Sequence, residues 1–203
     1  MNLRRDQAAL LVVDMENDFV HGPMAVTGGP ELALRLAPLV HAARAAGVAV
    51  VFVTQALRQN GADLGRLERF EPVRTGAALR EGGEGVRVAT ELDPRPEDIY
   101  VVKRRFSAFL GTDLDLVLRS SGVQQVFVCG VSAHVCCDTT VREAFQLGYD
   151  PYYIVDGVEM GDLPDLGWGP IAAHTAKGVV ATIIAHRFGT VCTIAELMVE
   201  LTR

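Results

Sequence analysis

Five short apolar runs punctuate the chain: Ala8–Val13, Val48–Thr54, Ile99–Val102, Val126–Cys129 and Tyr152–Val155. Each is rich in Val, Ile or aromatic residues and lacks polar alternation, the pattern of strands covered on both faces. Between them lie stretches with helical spacing. Glu31–Ala46 is rich in Ala and Leu and stops at Gly47, a C-cap signal. Asp113–Ser121 stops at Gly122 and Val135–Leu147 at Gly148, and Pro170–Arg187 and Ile194–Leu201 complete the set. Alternation of this kind predicts an α/β fold: a doubly wound sheet of about six mainly parallel strands, with helices on both faces. Residues 1–203 read as a single domain without repeats. The irregular stretch Arg58–Glu97 holds seven arginines and eight acids. Such mixed charge reads as solvated surface, with a substrate lid as the alternative.

Composition narrows the function classes. The 203 residues carry a formal net charge of −6, which disfavours a nucleic-acid partner. No apolar run approaches the ~20 residues of a membrane span. Arg4 and Arg5 precede only Ala8–Val13 before Asp14 interrupts, too short for a signal-peptide core. Cys129, Cys136, Cys137 and Cys192 show no secreted-scaffold spacing. The expectation is a reduced, cytoplasmic protein with no membrane or nucleic-acid partner.

In open α/β sheets ligands sit at the carboxyl ends of the strands, and three polar residues stand at such ends. Asp14 follows Leu10–Val13 and reads either as a turn cap or as a general base raised in pKa by desolvation. Lys103 ends the third run in a chain with 17 arginines and two lysines, so it is not interchangeable with the other surface cations. Its compact charge can hold a neighbouring anion, or simply snorkel to a surface acid. Cys136 follows the fourth run, Gly130 and a short turn, where a helix start favours a thiolate and offers N–H groups to an oxyanion. From Cys137, helical steps reach Val141, Ala144 and Phe145; from Cys136 they reach Thr140 and Glu143. Cys137 is therefore the packed residue and Cys136 the one facing a cleft. The rival zinc reading fails on spacing, since His134, Cys136 and Cys137 match no tetrahedral pattern. No G-x-G-x-x-G, Walker or G-x-S-x-G motif is present.

Taken together these segments resemble the isochorismatase-like cysteine hydrolases. Asp14-Met15-Glu16-Asn17-Asp18-Phe19 is similar to the family's D-M-Q-N-D-F. Lys103 to Phe109, followed by Gly111-Thr112-Asp113-Leu114, is similar to K-x-x-x-S-A-F-x-G-T-x-L. Gly130-Val131-Ser132-Ala133-His134-Val135-Cys136 continues the match to Thr140, Ala144 and Gly148. The resemblance implies a Rossmann-like sheet and an Asp14–Lys103–Cys136 triad. In that reading Asp14 takes the thiol proton, Lys103 holds Asp14 and the substrate, and Cys136 attacks a carbonyl to give a thioester. It also implies a cis peptide before Ser132, with the Ser132 and Cys136 N–H groups as the oxyanion hole.

Nicotinamidases of the family carry a metal-binding Asp-x-His where this chain reads Thr54-Gln55-Ala56-Leu57-Arg58, so neither a metal nor another cofactor is expected. Glu16 stands where Gln is common, and His134 where Asp or Asn is common. The implied activity is cleavage of a small amide, urea or carbamoyl compound. The alternatives are an isochorismatase-type vinyl-ether hydrolase, in which Cys136 is dispensable, and a non-catalytic thiol module. Phe19, Gln55 and Arg105 are the expected substrate contacts, with a surface salt bridge as the other reading of Arg105. Trp168 reads as cleft wall or oligomer contact, and a homo-oligomer is implied by resemblance.

Overall fold

The structure, a computed structural model, describes residues 2–203. Six parallel strands form one sheet: β1 (Ala8–Val13), β2 (Ala49–Gln55), β3 (Ile99–Lys103), β4 (Gln125–Val131), β5 (Asp150–Glu159) and β6 (Thr190–Cys192). Their spatial order is β3-β2-β1-β4-β5-β6. The chain builds outward from β1 through β2 to β3, then returns to pair β4 against the other edge of β1. A crevice opens at the carboxyl ends of β1 and β4, where that direction reverses.

Seven helices connect the strands: α1 (Asn17–Val20), α2 (Gly29–Ala45), α3 (Glu71–Thr75), α4 (Leu114–Ser120), α5 (Asp138–Gln146), α6 (Ala173–Arg187) and α7 (Ile194–Thr202). Alternate side chains of β1 enter different cores, because successive residues of a strand point to opposite faces. Leu10 and Val12 join Phe52, Phe127, the apolar stripe of α2 and Leu197 and Leu201 of α7. Leu11 and Val13 join Val53, Val128, Leu114 and Leu118 of α4, Val141 and Ala144 of α5, and Ile184 of α6. This double cover explains the unbroken apolar runs. One strand lies outside the five apolar runs, and one predicted helix starts later. β6 is only three residues long, between Gly189 and Thr193, too short for periodicity to mark. The helix predicted from Pro170 begins at Ala173, because Leu163 and Ile171 bridge and Asp162 Oδ1 accepts the Ala173 N–H at 2.8 Å.

Arg58–Glu97 departs furthest from the solvated-surface reading. It contains α3 and a 3-10 turn at Gly65–Arg69, and it buries Leu67, Val73, Ala78 and Leu79. Asp18 at the end of β1's loop, itself 4% exposed, pins it by accepting the Leu79 N–H at 2.7 Å. Arg104 braces it from β3, bonding the Ala56 carbonyl and Glu81.

Candidate active site

Three strand ends bring Asp14, Lys103 and Cys136 together. Asp14 takes a left-handed backbone conformation (φ 53°) as the chain leaves β1, and its N–H bonds Val53 O at 2.7 Å. Lys103 is two strands away on β3, paired in register with Gln55 of β2. Its four-carbon stem crosses the end of β2, and Nζ arrives 2.9 Å from Asp14 Oδ2 and 3.5 Å from Cys136 Sγ. Nζ also donates to Gln55 Oε1 and to the Arg105 carbonyl, each at 3.0 Å. Asp14 and Lys103 are fully buried, and Cys136 is 5% exposed.

Cys136 sits in a π-helical turn, Ala133–Cys137, that precedes α5. Turns of this wider form recur at functional sites. The Val131–Ser132 peptide is cis, and Ser132 O accepts the N–H groups of Val135 and Cys137 at 3.1 and 3.2 Å. The Cys136 N–H lies between those two and is not part of that pair. Cys137 is fully buried among Val141 and Ala144, as the helical stripe predicts. The segment after β3 is tied to α5 by the Ala108 N–H, which donates to the buried Thr140 hydroxyl at 3.0 Å.

The electrostatics follow from burial. Desolvation and then Asp14 push the Cys136 thiol well up, against the opposing pull of Lys103. This direction runs against the thiolate that a helix start alone would favour. Burial opposes the charge on Lys103, yet the surrounding Asp14, Cys136 and Glu16 together hold its ammonium above the ordinary lysine range. Burial raises Asp14, and Lys103 and a hydrogen bond from Cys136 partly restrain that rise. The geometry therefore sets a Lys103–Asp14 ion pair beside the Cys136 sulfur, with the same ammonium in contact with both.

Glu16 is a fourth member that the motif comparison noted only as a departure. It is fully buried, and its Oε2 accepts the Gln55 N–H at 2.9 Å, while Oε1 has no hydrogen-bond partner. Burial and then the neighbouring Asp14 carry its pKa well above the glutamate value of 4.5, which favours the protonated acid.

A cavity of about 380 Å³ opens onto Cys136, a size typical of small-molecule sites. Phe19 and Gln55 line it as expected, with Ser132, His134 and Cys136 at its base. Arg105 does not. Its guanidinium donates to the carbonyls of Asp63 and Arg104 and faces a neighbouring groove, because the residue's contribution to the site is its backbone carbonyl. The cation lining the cavity is Arg69 instead. Leu67, Phe70, Val73 and Leu79 supply apolar wall from the same 58–97 stretch. Leu67, Phe70 and Val73 recur every third residue amid charges, a signal in the sequence that the mixed-charge reading passed over. Trp168 is 90% exposed and lines none of this cavity. Among the described residues no cluster of three or more His, Cys, Asp or Glu side chains could hold a metal ion. Likewise no helix among them is long and apolar enough to cross a membrane.

An isochorismatase domain model matches residues 8–196, which spans the whole sheet and every strand end described above. The chain belongs to the isochorismatase family. It is similar to a cysteine hydrolase of known structure from Pseudomonas syringae pv. phaseolicola, with a TM-score of 0.93 and 33% identity over 98% of this chain and 94% of that one. A ureidoacrylate amidohydrolase from Pseudomonas syringae pv. syringae is 31% identical over 77% of this chain and 72% of its own length. Its counterpart from Azorhizobium caulinodans is 29% identical over 94% and 88%.

Proposed function

We propose that Asp14, Lys103 and Cys136 are the catalytic triad of this family member, with the Ser132 and Cys136 N–H groups as its oxyanion hole. The protein is a cysteine hydrolase that cleaves a C–N bond in a small amide-like molecule. The observation that carries the residue assignment is the convergence of one acid, one amine and one sulfur from three separate strand ends beneath a single cavity.

The steps follow from the protonation states. With a substrate carbonyl over Sγ, Asp14 takes the thiol proton as the sulfur attacks, forming the C–S bond and moving the carbonyl π pair onto oxygen. Oriented N–H donors stabilise that developing charge without reorganising. Collapse of the adduct breaks the C–N bond while protonated Asp14 delivers its proton to the leaving nitrogen, so ammonia or an amine departs. Water then attacks the thioester while Asp14 accepts its proton, and as the C–S bond breaks Asp14 returns that proton to sulfur, restoring the thiol and releasing the acid product. Lys103 keeps its proton throughout. It holds Asp14 in place, and its contact with Sγ stabilises the sulfur as it becomes anionic. The vinyl-ether alternative is disfavoured by amidohydrolase relatives and by a cysteine kept at the centre of the site.

An ammonia-release screen over carboxamides, ureas and carbamoyl acids tests the reading. On any active compound Cys136→Ala is expected to lower kcat by roughly 10³-fold or more. Asp14→Asn should also lose turnover, but it removes the anion that opposes ionisation of Cys136. Its sulfur should therefore react faster with iodoacetamide at neutral pH than the wild-type sulfur does. Undiminished turnover by Cys136→Ala would overturn the triad.

A further inference from the structure

The Cys136 cavity continues outward. Leu67, Arg69, Phe70 and Phe106 line it and also line a second hollow of about 580 Å³, which Leu110, Thr139 and Glu143 help to bound. Phe70, Phe106 and Leu110 are 39%, 37% and 56% exposed there. Single exposed apolar side chains are ordinary, but three on one hollow that leads to a buried sulfur mark a place for a ligand. Two of the polar side chains around it are committed elsewhere. The Arg105 guanidinium is bonded to the carbonyls of Asp63 and Arg104, and Ser107 Oγ accepts the Phe109 N–H at 3.1 Å. Arg66 and Arg69 stand exposed at the rim beside Glu68 and Glu143, so a charged group arriving there meets both signs in water.

Inside the cavity polarity is confined to the base. Gln55 Oε1 is taken by Lys103, and its Nε2, like His134 Nδ1, is buried without a hydrogen-bond partner among the described residues. Buried polar atoms are nearly always satisfied, so these two await the polar end of a ligand. Above them Arg69 at the rim is the one polar side chain of the lining, and Phe19, Met24, Leu67, Val73 and Leu79 make the walls. From this division we infer that the substrate is an uncharged primary amide with a long apolar acyl tail, and that the tail leaves the Cys136 cavity to lie against Phe70, Phe106 and Leu110. The inference rests on the amidohydrolase reading and adds the substrate class to it. The leaving nitrogen must face Asp14, which is fully buried and is not among the lining residues, so that side suits departing ammonia and the tail runs outward. The overall change is R–CO–NH2 plus water to R–COOH plus ammonia, with Cys136 Sγ carrying the acyl group between C–N cleavage and hydrolysis. Each methylene withdrawn from water into the hollow favours binding, whereas a carboxylate at the tail's end would lose hydration to apolar walls.

Ammonia release from butanamide, hexanamide, octanamide and 7-carbamoylheptanoate tests the tail. The kcat/KM of the wild type is expected to rise by about two- to fourfold per methylene from butanamide to octanamide, chiefly through KM. Octanamide should be favoured over 7-carbamoylheptanoate, which has the same chain length, by about tenfold or more. Leu110→Ser and Phe106→Ser, both at exposed positions, should each cut the octanamide-to-butanamide ratio of kcat/KM by roughly threefold or more. A second readout needs no turnover: calorimetric binding to Cys136→Ala should rank the four compounds in the same order. A flat response to chain length, a preference for the carboxylate, or an unchanged ratio in both variants overturns the assignment. So does a second copy of the chain covering the hollow, seen in sedimentation velocity as a dimer that Leu110→Ser dissociates. Failure of the amidohydrolase reading looks different: Cys136→Ala would keep whatever hydrolysis is seen, or no amide would be hydrolysed, and the calorimetric order alone would then decide the tail.

Discussion

Glu16 stands, fully buried, where the family resemblance has a glutamine. A protonated glutamic acid and a glutamine have nearly the same shape, and burial drives the Glu16 pKa upward, toward the protonated form. A second ionised carboxylate here would compete with Asp14 for the single ammonium of Lys103. The cost appears in stability. The native state holds the Glu16 proton above pH 4.5, where the unfolded chain releases it, so stability contributed by this group is complete at lower pH and is lost as pH rises toward the elevated native value. Glu16→Gln lacks this titration. Thermal melts from pH 4 to pH 9 should find the variant more stable than the wild type, by a margin that grows as pH rises from about 4.5 and closes on the acid side. A margin independent of pH would show that Glu16 is ionised in the folded protein. The same residue also shows the limit of motif reading: the letter at position 16 was visible, but its protonation depends on neighbours contributed by β2 and β3.

Strand ends, rather than strands, set the triad, and one glycine allows two of them to meet. Gly130 (φ 115°) lies beside Val13 in the β1–β4 register, and a Cβ there would sit 2.0 Å from Val13 O. No side-chain rotation relieves a clash with backbone. Gly130→Ala should therefore destabilise the fold by about 3 kcal/mol or more, by chemical denaturation, or prevent soluble expression. Gly178 provides the contrast. It lies inside α6, exposed, with nothing within 4 Å of an added Cβ. Gly178→Ala should stabilise by roughly 0.5–1 kcal/mol, since only helix propensity changes. The π-helical turn at Ala133–Cys137 belongs to the same level of organisation. A helix start was legible from Gly130 and the apolar stripe beyond Cys137, but its width was not, because hydrogen-bond register leaves no mark on side-chain periodicity.

Across the molecule, stability and chemistry are divided between two regions. Every residue of β1 and β4 is buried, and the two apolar cores meet these strands from opposite sides. The edge strands β3 and β6 are partly exposed, and the 58–97 stretch is largely short turns and loop, anchored by a few buried apolar residues and charged pairs with Arg104. Hydrogen exchange followed by mass spectrometry should find the slowest amides in β1 and β4 and faster exchange over 58–97, slowing there when a ligand fills the cavity. Uniform protection across both regions would contradict this division.

Periodicity alone determined that strands and helices alternate and that the sheet is covered on both faces, because two-sided burial demands apolar residues at consecutive positions. The strand-end rule then pointed to Asp14, Lys103 and Cys136 as candidates, each with a structural alternative, and the family resemblance joined them as a triad. Only tertiary structure decided which cation lines the cavity. Arg69 and Arg105 are the same residue type in similarly charged surroundings, and the folded chain turns Arg105 onto the carbonyls of Asp63 and Arg104 while Arg69 borders the cavity. It likewise set the upward direction of the Cys136 and Glu16 pKa shifts. Local sequence suggests a helix-start thiolate and an ordinary acid, but pKa responds to desolvation and to charges brought in from distant strands, and these exist only once the chain has folded.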